Sequence, residues 1–173
     1  MNWSKSQDAN SIVELNNWSS LIIRTPKLNS YYKSANYKDY PSIATAALGL
    51  GPADLMNDLK TMGFFFEAMC VRDLRVFAEA LNGKVYHYRD KSGLECDAVV
   101  HLRNGQYGLI EVKLGGETLI NEGIETLTSL ARQIDTTRMK APAFKMILTA
   151  TGEHAYRRPE DGIYIVPIGC LKQ

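Results

Sequence analysis

From Gly63 to Leu81, apolar residues recur every three or four positions, at Phe66, Cys70, Leu74, Phe77 and Leu81, with Val71 and Ala78 widening the stripe. That spacing predicts a long helix with one buried face. Asn82-Gly83 closes it, as residues tolerant of left-handed backbone do. Lys84–Tyr88 alternates as a strand, a turn follows at Arg89–Gly93, and Glu95–Leu102 and Gln106–Lys113 alternate again as two further strands. A second long helix is predicted from Leu119 to Met139 on the stripe Ile120, Ile124, Leu127, Ala131 and Ile134. Gly123 weakens its first turns by ~1 kcal/mol relative to alanine. Lys145–Thr149 and Gly162–Ile168 read as buried strands, with His154, Arg157 and Arg158 in the loop between them. Upstream, Pro41 opens a helical run that stops at Gly49, and Pro52 opens another, from Ala53 to Lys60.

The order from Gly63 is helix, three strands, helix, strand and one strand more. This predicts an α/β domain, a mixed sheet flanked by helices with an N-terminal helical extension. It divides the chain into residues 41–173, the domain, and 1–40, a leader rich in Asn, Ser and Lys. Either the leader docks on the body through Trp3 and Trp18, or it is the remnant of a linker. Ile12, Val13 and Leu15 suggest a short helix there, Leu21–Ile23 a short edge strand, and Tyr31, Tyr32, Tyr37 and Tyr40 a tyrosine-rich loop.

The central hairpin carries charge inside strands that otherwise look buried. Asp97 lies on its first arm, and Glu111 and Lys113 lie on its second. Charges rarely sit there without a partner or a task. Opposed residues of an antiparallel pair point to one face, so the loop length decides whether these three meet. A two-residue turn at Asn104-Gly105 sets Asp97 opposite Val112. A three-residue loop, Arg103-Asn104-Gly105 with a left-handed glycine, sets Asp97 opposite Glu111. The longer loop is the expected one, with Cys96, Ala98, Val100 and Leu102 sharing the other face. Glu67, at the edge of the first helix's apolar stripe, is either a boundary carboxylate paired with an arginine or a fourth group aimed at the hairpin.

Composition adds limits. The 173 residues are 45% hydrophobic and 23% charged, which suits one globular domain. No run of eighteen apolar residues and no signal segment is present, so no membrane partner is expected. Three cysteines, Cys70, Cys96 and Cys170, favour a reducing, cytoplasmic setting over disulfides or a zinc site. A net charge of +1 supplies no overall attraction to nucleic acid, so any such contact is local. No Gly-x-x-x-x-Gly-Lys-Ser/Thr run occurs, and with it no ATP site.

Asp97 and Glu111 side by side, with the Val112 carbonyl, offer oxygen ligands suited to Mg²⁺ or Mn²⁺. Lys113 would hold a water and stabilise charge on a phosphate. Glu67 would steady Lys113 or a second ion. Together these groups are what metal-assisted phosphodiester hydrolysis requires. Arg132, Gln133 and Arg138 give the end of the second long helix a polar, cationic side for a nucleic-acid substrate.

The helix, hairpin and Asp/Glu-x-Lys set resembles the PD-(D/E)XK nuclease superfamily over Gly63 to Thr149. A closer resemblance rests on Arg24–Leu28, Pro41–Gly49, Gly63–Glu67, Cys70–Arg75 and Tyr86–Asp97. These stretches look like the C-terminal domain of uncharacterised function in a family of prokaryotic AAA-type ATPases, itself regarded as a relative of those nucleases. The resemblance implies a restriction-endonuclease-like core, with Glu67, Asp97, Glu111 and Lys113 at its motif positions and Gln133 at a weaker polar one. Cys96 departs from the pattern, where a proline often precedes the aspartate. Two functions are implied: a Mg²⁺-dependent nuclease acting on DNA, or a silent module of that fold that binds nucleic acid, an ATPase domain or a partner protein.

Overall fold

The computed structural model of the chain describes residues 12–14 and 40–171. The tryptophans Trp3 and Trp18, the strand expected at Leu21–Ile23 and the tyrosines before Tyr40 lie outside the described residues. Helix α1 (Pro41–Ala47) and helix α2 (Pro52–Asn57) form the expected helical extension, each with proline in its first turn. They pack Ala44, Leu48, Leu50 and Leu55 around Phe65 of helix α3 (Leu59–Ala80). The sequence pattern extends α2 to Lys60 and begins α3 at Gly63. Asp58 sets the true boundary: its carboxylate accepts from the Thr61 amide at 3.1 Å and the Thr61 hydroxyl at 2.6 Å, capping α3.

Strands β1 (Ile12–Glu14), β2 (Gly83–Arg89), β3 (Glu95–Leu102), β4 (Tyr107–Lys113), β5 (Phe144–Thr149), β6 (Tyr156–Arg157) and β7 (Tyr164–Pro167) form one mixed sheet, ordered β1-β2-β3-β4-β5-β7-β6. Residues 12–14 are therefore a strand paired antiparallel to β2, not the start of a helix. β2, β3 and β4 are antiparallel neighbours, whereas β4, β5 and β7 run parallel. The parallel β4–β5 step needs a crossover, and helix α4 (Glu117–Gln133) supplies it. α4 ends at Gln133, not Met139. Ile134 is extended, and the Asp135 carboxylate accepts from the amide and hydroxyl of Thr137, a turn that competes with another helical residue. The loop before β7 holds one element missed in sequence, the two-residue β6.

The two long helices cover opposite faces of the sheet. Phe66, Cys70, Val71, Leu74 and Ala78 of α3 bury against Val85, Ala98, Ile110, Val112, Met146 and Leu148. On the other face, Leu127 and Leu130 of α4 bury against Cys96, Val99, Leu109, Ile147 and Ile165. Both cores reach the ends of β4 and β5 where the charged residues stand. Among the described residues, no helix is long and apolar enough to cross a membrane.

Candidate functional site

The β3–β4 loop has the length that brings the charges together. Gly105 adopts φ +80° and donates its amide to the Leu102 carbonyl at 3.0 Å, and the Leu102 amide reaches Gln106 O at 2.8 Å. Pairing runs from His101↔Tyr107 to Ala98↔Ile110. The ladder ends there, and the next residue, Asp97, lies beside Glu111. There the side chains take over from the ladder. The Val112 amide donates to Asp97 Oδ2 at 2.7 Å, and the Asp97 amide donates to Glu111 Oε1 at a long 3.4 Å. Glu111 is only 3% exposed, and its Oε2 lies 3.0 Å from Lys113 Nζ.

The face assignments on the near side of β3 are corrected, for Asp97, which leaves the face of Val99, and for Cys96. Cys96 does not share a face with Ala98: it packs toward α4 with Val99 and Leu109, while Ala98 packs toward α3. The β2–β3 pairing steps from Tyr86↔Val99 to Tyr88↔Cys96, so Asp97 and Ala98 together oppose His87. This is a β-bulge, and it inverts the alternation of β3 on its near side.

Too many carboxylates share too little water here. Burial, then Asp97, pushes Glu111 up from the ordinary 4.5 to about 8, against the pull of Lys113. Burial also raises Asp97, although Lys113 and the Val112 amide oppose it. Glu67 on α3 is raised well above the ordinary range by burial and then by Asp97 and Glu111, so it belongs to the same electrostatic cluster. Burial pulls Lys113 down, but Glu111 and Asp97 outweigh it and leave the ammonium strengthened. Three carboxylates face one lysine, and Glu67 Oε1 is buried with no hydrogen-bond partner among the described residues. An orphaned oxygen in a carboxyl-rich site fits a hard divalent cation. Asp97, Glu111 and the Val112 backbone are the groups that would hold one. Among the described residues, no three His, Cys, Asp or Glu side chains already stand as a metal-holding group.

Helix α4 reaches this cluster through a glycine. A Cβ on Gly123 would stand 2.6 Å from Ile147 Cδ1, 3.3 Å from Lys113 Cε and 3.5 Å from Glu111 Cβ. The residue that looked like a flaw in the helix lets it lie on Glu111 and Lys113. Gly123→Ala is therefore expected to destabilise: overpacking of about 1–3 kcal/mol outweighs the ~1 kcal/mol gained in helix propensity. Urea unfolding of the variant checks it, and a midpoint above wild type would contradict this close approach.

The other expected residues lie elsewhere. Arg132 and Gln133 are exposed at the end of α4, nine and ten residues beyond Gly123, or roughly 14 Å along the helix axis. Arg138 follows in the exposed turn leading to Lys140, whose carbonyl accepts the Tyr107 hydroxyl at the far end of β4, 2.7 Å away. The structure does not bring these three to the carboxylates. Arg157 lies over the Tyr164 ring, 5.7 Å from its centroid, and Arg158 pairs with Asp161 at 3.0 Å. His87 and Glu95 are further members that the sequence pattern does not single out; their Nε2 and Oε1 are 3.1 Å apart beside the bulge. Only a bulge brings them to one face, and strict alternation gives no sign of it.

Neither the curated proteins nor the solved structures contain a match to this chain. A family model does match, the domain of unknown function DUF4143, over residues 62–171. The match takes in α4, all but the first three residues of α3, and all of Glu67, Asp97, Glu111 and Lys113. Spanning more than half of the sequence, it shows that the chain belongs to the DUF4143 family.

Proposed function

We propose that the cluster of Glu67, Asp97, Glu111 and Lys113 is the active site of a Mg²⁺- or Mn²⁺-dependent nuclease that hydrolyses DNA phosphodiester bonds. The observation that carries this reading is the register of the β3–β4 hairpin, which makes Asp97 and Glu111 neighbours and puts Lys113 on Glu111. Asp97, Glu111 and the Val112 carbonyl would hold the cation, which when bound activates water and neutralises phosphate charge. Lys113 supplies a fixed positive charge beside the phosphoryl oxygens as negative charge builds on them. Glu111, at 3.0 Å, keeps that ammonium in place. Glu67 adds a further negative charge from α3 that strengthens the lysine. On this reading the domain is a PD-(D/E)XK relative with a restriction-endonuclease-like core. It would work in the cytoplasm beside an AAA-type ATPase domain, a setting that suits its three free thiols.

The test is cleavage of linear, supercoiled and branched DNA with Mg²⁺ or Mn²⁺. Wild type is expected to cut and Asp97→Asn not to; DNA left intact by wild type would overturn the proposal. A second reading is a silent module that binds nucleic acid or a partner protein. It is favoured by Lys113 Nζ already occupying Glu111 Oε2 and by cations such as Arg132 and Arg138 standing away from the site. Salt-dependent DNA binding without cleavage would select it.

A further inference from the structure

Glu95 is on the wrong face for a regularly alternating β3. Val99 packs toward α4, and counting back by twos would send Asp97 and Glu95 to that side as well. The bulge that sets Asp97 and Ala98 opposite His87 inverts this order. Cys96 turns toward α4, and Glu95 turns to the α3 side. His87 is on that side too, two residues beyond Val85 of the α3-side core, and is 7% exposed. There Glu95 Oε1 stands 3.1 Å from His87 Nε2, in ion-pair range, and Oε2 stands 3.7 Å from an Arg89 guanidinium nitrogen.

We propose that the His87–Glu95 contact, with Arg89 as its outer member, is a register lock that holds β3 in its bulged pairing and so positions Asp97 at the active site. The inference rests on the nuclease reading only for its kinetic readout. Its logic is one of exclusive contact. In regular pairing Glu95 and His87 lie on opposite faces, so whatever the contact contributes counts entirely toward the bulged form. That form brings the Asp97 carboxylate to the Val112 amide at 2.7 Å. Regular pairing would return Asp97 to the ladder and break that bond. His87 and Glu95 are thus positioning residues, and neither needs to touch substrate.

Amide hydrogen exchange of the full chain reads the lock directly. In Glu95→Ala the Val112 amide should exchange at least about tenfold faster while β7 amides stay protected, because a local opening is added without global unfolding. Glu95→Gln keeps an acceptor for His87 and should restore most of the protection. In cleavage assays Glu95→Ala should lower kcat and leave KM unchanged. Unchanged Val112 protection in Glu95→Ala, or equal loss across β7, would overturn the lock and leave the bulge to packing. If Glu95→Ala does not fold, His87→Gln carries the same comparison. A wild type that cuts no DNA sinks the nuclease reading alone, since the exchange result still decides the lock.

Discussion

Lys113→Ala should lower DNA cleavage by a factor on the order of 10²–10³, the usual cost of removing one preorganised charge from a developing oxyanion. The loss should fall on kcat, because the ammonium is wanted most when charge builds on the phosphate. The effect on stability is less obvious. Among the described residues, Lys113 is the ion-pair partner of Glu111, whose side chain is 4% exposed. Breaking a buried pair from one side costs about 3–5 kcal/mol when the remaining charge has nowhere to go. Glu111 has somewhere to go. Already pushed up to about 8 with the lysine present, it mostly holds a proton at pH 7 and keeps it once the lysine is gone. The variant should therefore fold, lose well under that penalty at pH 7, and fail to cut. Equal cleavage by wild type and Lys113→Ala would remove the assigned role.

Stability without added cation should fall as pH rises from about 5 to 8. A carboxyl whose folded pKa is raised binds more protons folded than unfolded between the two values, so its contribution is present in acid and lost with rising pH. Glu111, moving from 4.5 to about 8, sets that window, and the raised Asp97 and Glu67 act in the same direction. One pKa unit corresponds to about 1.4 kcal/mol, so the upper limit for Glu111 alone is roughly 5 kcal/mol; charge sharing with Asp97 and Lys113 leaves a few. The lowered pKa values of Asp58, Asp90 and Asp135 work oppositely in stronger acid, and those of His87 and His101 oppose the carboxyls below about pH 6.5. The fall in stability should therefore be steepest between pH 6.5 and 8. Urea midpoints at pH 5, 6.5 and 8 check the slope, and Glu111→Gln should flatten most of it. A wild-type midpoint that rises toward pH 8 would contradict the buried carboxylate cluster.

Much of the fold is legible in local pattern because each element declares its own period. The helical stripe of α3 and the alternation of β3 and β4 needed no tertiary information. The hairpin register was legible for a further reason: Asn104-Gly105 supplies the left-handed glycine that a three-residue loop requires. The bulge was not legible. Cys96 and Ala98 are small and apolar, fit either face, and so carry no mark of the inversion between them. Gly123 looked like a weakness because its reason, contact with Ile147 and Lys113, lies across the sheet. The distance of Arg132 and Gln133 from the site follows from topology. A crossover helix runs back from the end of β4 toward the start of β5, so its last turn leaves the end of the sheet where its first turn began.

Titration of Mn²⁺ into the protein at pH 8, followed by heat, tests the central claim that these buried carboxylates form a cation site. A saturable site in wild type, lost in Asp97→Asn and in Glu111→Gln, is the predicted result. No binding to wild type, or the same binding in all three proteins, would contradict it.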